Sequence, residues 1–167
     1  MRKPTKPRSR KAGLPPGSLV HIGETKTAAP GISVLDFGPA ALTEAALPDA
    51  AALVAYRREN STLWGNIHGL QDAADLAAIG AAFRWHPLVL EDILNNNQRQ
   101  KIDAYDDYLY VVLHRYEVSS EPLDVVQDQI SLVIGADYLI SFQERPTGIF
   151  EPVRQRRVAL ARQHHVP

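Results

Sequence analysis

The sequence predicts an α/β fold built on a mixed sheet of about seven strands. Short, alternating apolar runs recur along the chain, and runs with helical spacing separate several of those in the first half. In the second half, three strand-like runs follow one another with no helix between them, so the sheet cannot be purely parallel. The chain has 167 residues, 45% of them hydrophobic, which is enough for one domain with a packed core.

Residues 1–17, MRKPTKPRSRKAGLPPG, are rich in Pro, Gly and basic side chains and read as a flexible, solvated basic arm. A domain over 18–167 follows. SLVHIG (18–23) reads as a first short strand and ISVLDFG (32–38) as a second. TEAAL (43–47) fits a strand or a helix. Pro48 breaks it from DAAALVAYRREN (49–60), a helix with Asp49 as N-cap and good helix formers behind it. TLWGNIHGL (62–70) reads as a buried strand. Asp72 can cap a helix running to about Phe83, with Leu76, Ile79 and Phe83 at helical spacing.

HPLVLEDIL (86–94) is a second, short helix, and Pro87 suits its first turn because a missing N–H costs nothing there. KIDAYDDYLYVVLHRYE (101–117) reads as two strands around a turn at Asp106 and Asp107. LDVVQDQISLVIG (123–135) is a long alternating strand, and Gly135-Ala136-Asp137 turns it into YLISFQ (138–143) as a hairpin. GIFEPVRQRRVALARQHH (148–165) starts a basic helix. The chain stops on that helical pattern, so a piece of a longer protein is expected.

Charge is distributed unevenly. Residues 1–12 carry six basic groups and no acid, residues 13–150 carry 8 basic and 18 acidic groups, and residues 151–167 carry four arginines against Glu151. An acidic body argues against nucleic acid, whose footprint is a basic face on the folded part, and it suits cations. The absence of cysteine excludes disulfides and thiolate metal sites. No apolar run approaches the roughly 18–20 residues needed to span a bilayer. No apolar segment follows the basic N-terminus, so it is not a signal peptide.

Catalytic signatures are missing. The sequence has no Gly-x-Ser-x-Gly elbow and no phosphate-cradling glycine loop, so no enzyme and no organic cofactor is expected. His21, His68, His86 and His114 lack the short spacing of a zinc site and read as strand-face or capping residues. Asp103, Asp106 and Asp107 resemble a calcium loop, but the glycine and the distal bidentate Glu are absent, which favours a turn. That leaves Glu91 and Asp92. Adjacent residues on a helix point about 100° apart, so both can look outward while Leu90, Ile93 and Leu94 face the core. Such a pair is a half-site for Mg²⁺, which takes one or two carboxylates and keeps several waters. On physical grounds alone a solvated helix face is the simpler account. A metal-dependent hydrolase using Glu91-Asp92 and Asp106-Asp107 would need a convergent base, and the sequence offers none.

The stretch HPLVLEDILNNNQRQKIDAYDDYLYVVLH (86–114) closely resembles the signature of the CorA family of magnesium and cobalt channels. It has the His-Pro-Leu-x-x-Glu-Asp opening, the Asn-x-x-Gln-Arg-x-Lys step and an aromatic-acidic-Tyr strand start. KAGLPPGSLVHIG, LWGNIHGL, QISLVIGADYLISFQE and IFEPVRQR extend the likeness over residues 11 to about 160. Where the family has Pro before the lysine, this chain has Gln100.

The resemblance implies an α/β/α sandwich with a seven-stranded mixed sheet, the cytoplasmic N-terminal domain of a homopentameric channel. It implies that regulatory Mg²⁺ (or Co²⁺) between neighbouring domains keeps the pore closed. Asp92 inherits the role of metal ligand, with Glu91 beside it. The stalk helix, the two membrane helices and the Gly-Met-Asn pore motif of the family are not in these residues. Contact with the membrane is therefore expected only through further segments, with the domain on the cytoplasmic side and the whole protein in the cell membrane. The family also includes ZntB-like zinc transporters, which is the alternative reading.

Overall fold

A computed structural model of the protein describes residues 13–22, 30–38, 42–56, 61–69, 72–120 and 123–164. The basic residues 1–12, residues 57–60 of the expected first helix and His165 lie outside them.

Seven strands form one sheet: β1 (Gly31–Phe37), β2 (Leu42–Leu47), β3 (Thr62–His68), β4 (Lys101–Ala104), β5 (Tyr108–Ser120), β6 (Leu123–Gly135) and β7 (Tyr138–Gln143). Their order is β2-β1-β3-β7-β6-β5-β4. The strands β4 to β7 pair antiparallel in sequence order. The β3–β7 pair, which joins the two halves of the chain, is parallel. The sheet is therefore mixed, as expected.

The strand count agrees with expectation, but its membership differs. Over its described residues 18–22, SLVHIG is not a strand: only Ile22 pairs there, in a parallel bridge to Asn95. Its N–H donates to the Leu94 carbonyl at 2.9 Å, and its carbonyl accepts from Asn96 N–H at 3.0 Å. The segment meets the turn after a helix, which offers backbone groups for one residue and no ladder to continue. TEAAL takes the vacant place as β2, because β1 pairs with it over six positions, from Ile32↔Leu47 to Phe37↔Leu42.

Three helices, α1 (Ala50–Tyr56), α2 (Ala73–Phe83) and α3 (Pro87–Ile93), cover one face of the sheet. The caps are those expected. The Asp49 carboxylate accepts from Ala52 N–H and that of Asp72 from Ala74 N–H, each at 2.7 Å. The core lies between Leu53 of α1, Leu76, Ile79 and Phe83 of α2, Val89 and Leu90 of α3, and inward side chains such as Val34, Ile67, Tyr110 and Ile140. The fourth helix, α4 (Glu151–His164), lies against the opposite face. Phe150 meets Trp64 edge-to-face at 5.4 Å, the Arg154 guanidinium donates to Ser33 Oγ, and the Arg157 guanidinium sits 4.9 Å over Phe37. Helices on both faces make an α/β/α sandwich. No helix among the described residues is long and apolar enough to cross a membrane.

Candidate functional site

The short helix α3 carries Glu91 and Asp92 in its last turn, and both of its ends are anchored. At the start, His86 caps the helix by accepting from Leu88 N–H, and His86 N–H donates to the Tyr108 hydroxyl at 2.8 Å. The rings of His86, Tyr105 and Tyr108 stack in a row. Beneath the helix, Val89, Leu90, Ile93 and Leu94 are buried, as the helical spacing requires. At the far end the Ile22 bridge holds the Leu94–Asn96 turn. The carboxylates are thus placed by a helix with little freedom to rotate.

Glu91 and Asp92 diverge as adjacent helical residues must. Neither is simply solvated. Glu91 Oε2 accepts the Gly17 N–H at 2.6 Å, which ties residues 13–22 to the helix. Asp92 points to the other side, toward the loop that leads into β4. Its Oδ1 accepts from Gln98 Nε2 at 2.5 Å and its Oδ2 lies 2.6 Å from the Lys101 ammonium. That ammonium also lies 2.7 Å from Asp103 Oδ2 and 5.4 Å from the centre of the Tyr110 ring. Burial pulls the Lys101 pKa down, but its hydrogen bonds to Asp103 and Asp92 prevail and raise it above the ordinary lysine value.

The loop around Asp92 is held in turn. Gln98 N–H donates to Gln129 Oε1 at 3.1 Å, and the His114 ring lies 2.9 Å from the Gln98 carbonyl. Buried Gln129 also reaches toward the Asp92 carbonyl at 3.5 Å. The site is therefore assembled from the end of α3, the loop 95–100, the edge strand β4 and inward residues of β5 and β6.

The oxygen that suits a hard divalent cation here is the Asp92 carboxylate, one-fifth exposed, with the Asp103 carboxylate across the Lys101 ammonium from it. The two carboxylates form a partial set. No group of three or more His, Cys, Asp or Glu converges among the described residues. Asp106 and Asp107 stay exposed in the bend between β4 and β5, as the turn reading requires. Lys101, Gln98 and the position of Asp103 were not read as part of the site. Their signal was present, since Lys101 and Asp103 sit two apart on a strand and must share a face. His21, His86 and His114 take part in local hydrogen bonds around this end of the fold. The side chain of His164 lies outside what is described.

Residues 59–165 match the family described as CorA-like Mg²⁺ transporter protein. The cobalt/magnesium transport protein CorA of Thermotoga maritima is 32% identical over 148 residues, covering 89% of this chain and 42% of the relative. The chain therefore spans well under half the length of that curated relative. Two solved structures share the fold. The soluble domain of CorA from Methanocaldococcus jannaschii has a TM-score of 0.51 at 11% identity, over 73% of this chain and 44% of that one. The ZntB cytoplasmic domain from Vibrio parahaemolyticus has a TM-score of 0.51 at 16% identity, over 75% of this chain and 48% of that one.

Proposed function

Since the chain belongs to the family of CorA-like Mg²⁺ transporter proteins, we propose that it is the cytoplasmic, metal-sensing domain of a divalent-cation channel. In this reading the domain works as one of several copies, five in the CorA arrangement, on the cytoplasmic side of a cell-membrane protein, and Asp92 is its principal ligand for regulatory Mg²⁺. The observation that carries the reading is the placement of Asp92. It is a partly exposed carboxylate at the end of a helix pinned at both ends, and it already engages a cation, the Lys101 ammonium.

When bound, the divalent ion would supply charge that neutralises facing carboxylates of neighbouring copies. The residues of the chain do the rest. α3 fixes the direction of Asp92, and Gln98 holds one of its oxygens. Glu91 fastens residues 13–22 to the same helix through Gly17 N–H, so it supports the ligand more than it extends it. Binding that favours the closed arrangement shifts the population by its differential affinity for the two states and by no more.

The test is a Mg²⁺ titration of this chain by calorimetry and by amide NMR. Binding on the order of millimolar is expected, because one or two carboxylates compete with tightly held water. Asp92→Asn should remove it and Glu91→Gln should weaken it less. In the longer protein, Asp92→Asn should keep the channel conducting at Mg²⁺ levels that silence the parent. Mg²⁺ binding unchanged by Asp92→Asn would sink the assignment. The second reading is a zinc-transporter domain, with which the shared fold of the Vibrio ZntB domain is compatible. Zn²⁺ binding at Asp92 far tighter than Mg²⁺ binding would select it.

A further inference from the structure

We propose that Lys101 is a tethered counter-ion that competes with the divalent cation for Asp92, and that Asp103 is the place to which its ammonium retreats. The inference rests on the reading of Asp92 as a metal ligand. Its basis is geometric. One ammonium lies 2.6 Å from Asp92 Oδ2 and 2.7 Å from Asp103 Oδ2, between two carboxylates carried by different elements. Gln98 takes the other oxygen of Asp92, so each oxygen of the carboxylate already has a partner from 98–101. A cation approaching Asp92 therefore competes with an intramolecular cation for the same charge.

Displacement is feasible because of what lysine is. Its charge is a compact point on a flexible four-carbon stem, and the side chain is about one-third exposed on an edge strand. Lys101 and Asp103 share a face of β4, so the ammonium can leave Asp92 and keep Asp103. Two carboxylates against one ammonium leave net negative charge, which continues to attract a cation from solution. The ammonium thus holds the site in order when the cation is scarce. It also raises the concentration at which the cation takes over. Asp103 acts through Lys101 here and is not itself a ligand.

A double-mutant cycle on the 167-residue chain tests this, read by Mg²⁺ calorimetry and by the ¹⁵N order of the Lys101 ammonium. Lys101→Met should tighten Mg²⁺ binding roughly three- to tenfold, as expected for removing a partly exposed ion pair and its repulsion. Asp103→Asn should weaken binding about twofold in the parent, since the ammonium then commits to Asp92. In the Lys101→Met background it should weaken binding less than in the parent, since only the through-space charge of Asp103 is then lost. Mg²⁺ should also make the Lys101 ammonium measurably more mobile in the parent chain. If Lys101→Met disturbs folding, Lys101→Gln serves in its place. Equal Mg²⁺ affinity in parent and Lys101→Met, with binding lost in Asp92→Asn, would overturn the competition and leave Asp92 as a ligand. Asp103→Asn weakening binding equally in both backgrounds would make Asp103 a direct ligand and overturn its role as retreat. Binding that survives Asp92→Asn would remove both readings together.

Discussion

His68 ends β3 beside Gly31: a Cβ on Gly31 would lie 2.3 Å from the imidazole, so a larger residue there would have to push the ring aside. The ring borders a cavity of about 210 Å³ with Ser33, Asn66, Gln143, Glu151 and Arg154. Burial lowers its pKa below the ordinary 6.5. The sign follows from which state binds the proton. Below pH 6.5 the unfolded chain takes up a proton that the folded chain resists, so stability declines as pH falls from 6.5 toward the depressed folded value. Above 6.5 both states are neutral and the effect vanishes. His68→Gln should flatten the pH dependence of urea unfolding between pH 7 and 5; an unchanged slope would show that the ring is not the titrating group. Single residues also show how far the site could be read from the sequence. Asp92 was singled out by the resemblance of its local motif, whereas the residues alone suggested a solvated helix face; the structure gives it Gln98 and Lys101 as partners. The Lys101–Asp103 pairing was legible in principle from strand periodicity. The Gly17–Glu91 bond joins residues 74 apart, and no local pattern could announce it.

Among the elements, α2 and α3 show why the site stays where it is. Gly80 lets the two helices approach: a Cβ there would lie 2.6 and 2.7 Å from the methyls of Leu90, the residue before Glu91. Gly80→Ala gains about 1 kcal/mol of helix propensity. It also overpacks a buried contact, at about 1–3 kcal/mol. The contact should win, and a net loss of about 1 kcal/mol in urea unfolding is expected; a gain in stability would mean that Leu90 yields freely. On the opposite face of the sheet, one register pair from His114 and Gln129, β5 and β6 are clamped by buried Asp128, which meets both Arg115 and Arg145, and Glu117 joins the same group. Element type was legible wherever periodicity was strong: over the described residues, β3, β5, β6, β7 and the four helices are of the type expected. The failure at SLVHIG and the ambiguity at TEAAL have one cause. A six-residue apolar run is a strand only if a partner ladder reaches it, and the partner is decided by the rest of the fold.

The whole molecule has two faces of unequal completeness. α1, α2 and α3 cover the inner face, whereas among the described residues Phe150, Arg154 and Arg157 meet the β1–β3 half of the outer one. On the outer face of β4, β5 and β6, Ile102 is 71% exposed, Leu113 43%, Leu109 41% and Ile134 37%. Strand register puts these four side chains together: Ile102 pairs with Val111, Leu109 with Ile134, and Leu109, Val111 and Leu113 alternate with the core residues Tyr110 and Val112. Contiguous exposed apolar surface of this kind favours association. The chain should therefore self-associate with rising concentration through this strip. Ile102→Thr should cost within about 0.5 kcal/mol of stability, as an exposed substitution does, and it keeps the β-branched shape that a strand prefers. Leu113→Thr should cost about 1 kcal/mol, because more of that side chain is covered. Both should lower the sedimentation coefficient at high concentration without altering the fold by circular dichroism. Mg²⁺ binding should be untouched, since Asp92, Lys101 and Asp103 meet on the other side of β4. Association that persists in the double variant would place the contact elsewhere on the molecule. A change in Mg²⁺ affinity would show that the strip and the cation site are coupled through the sheet.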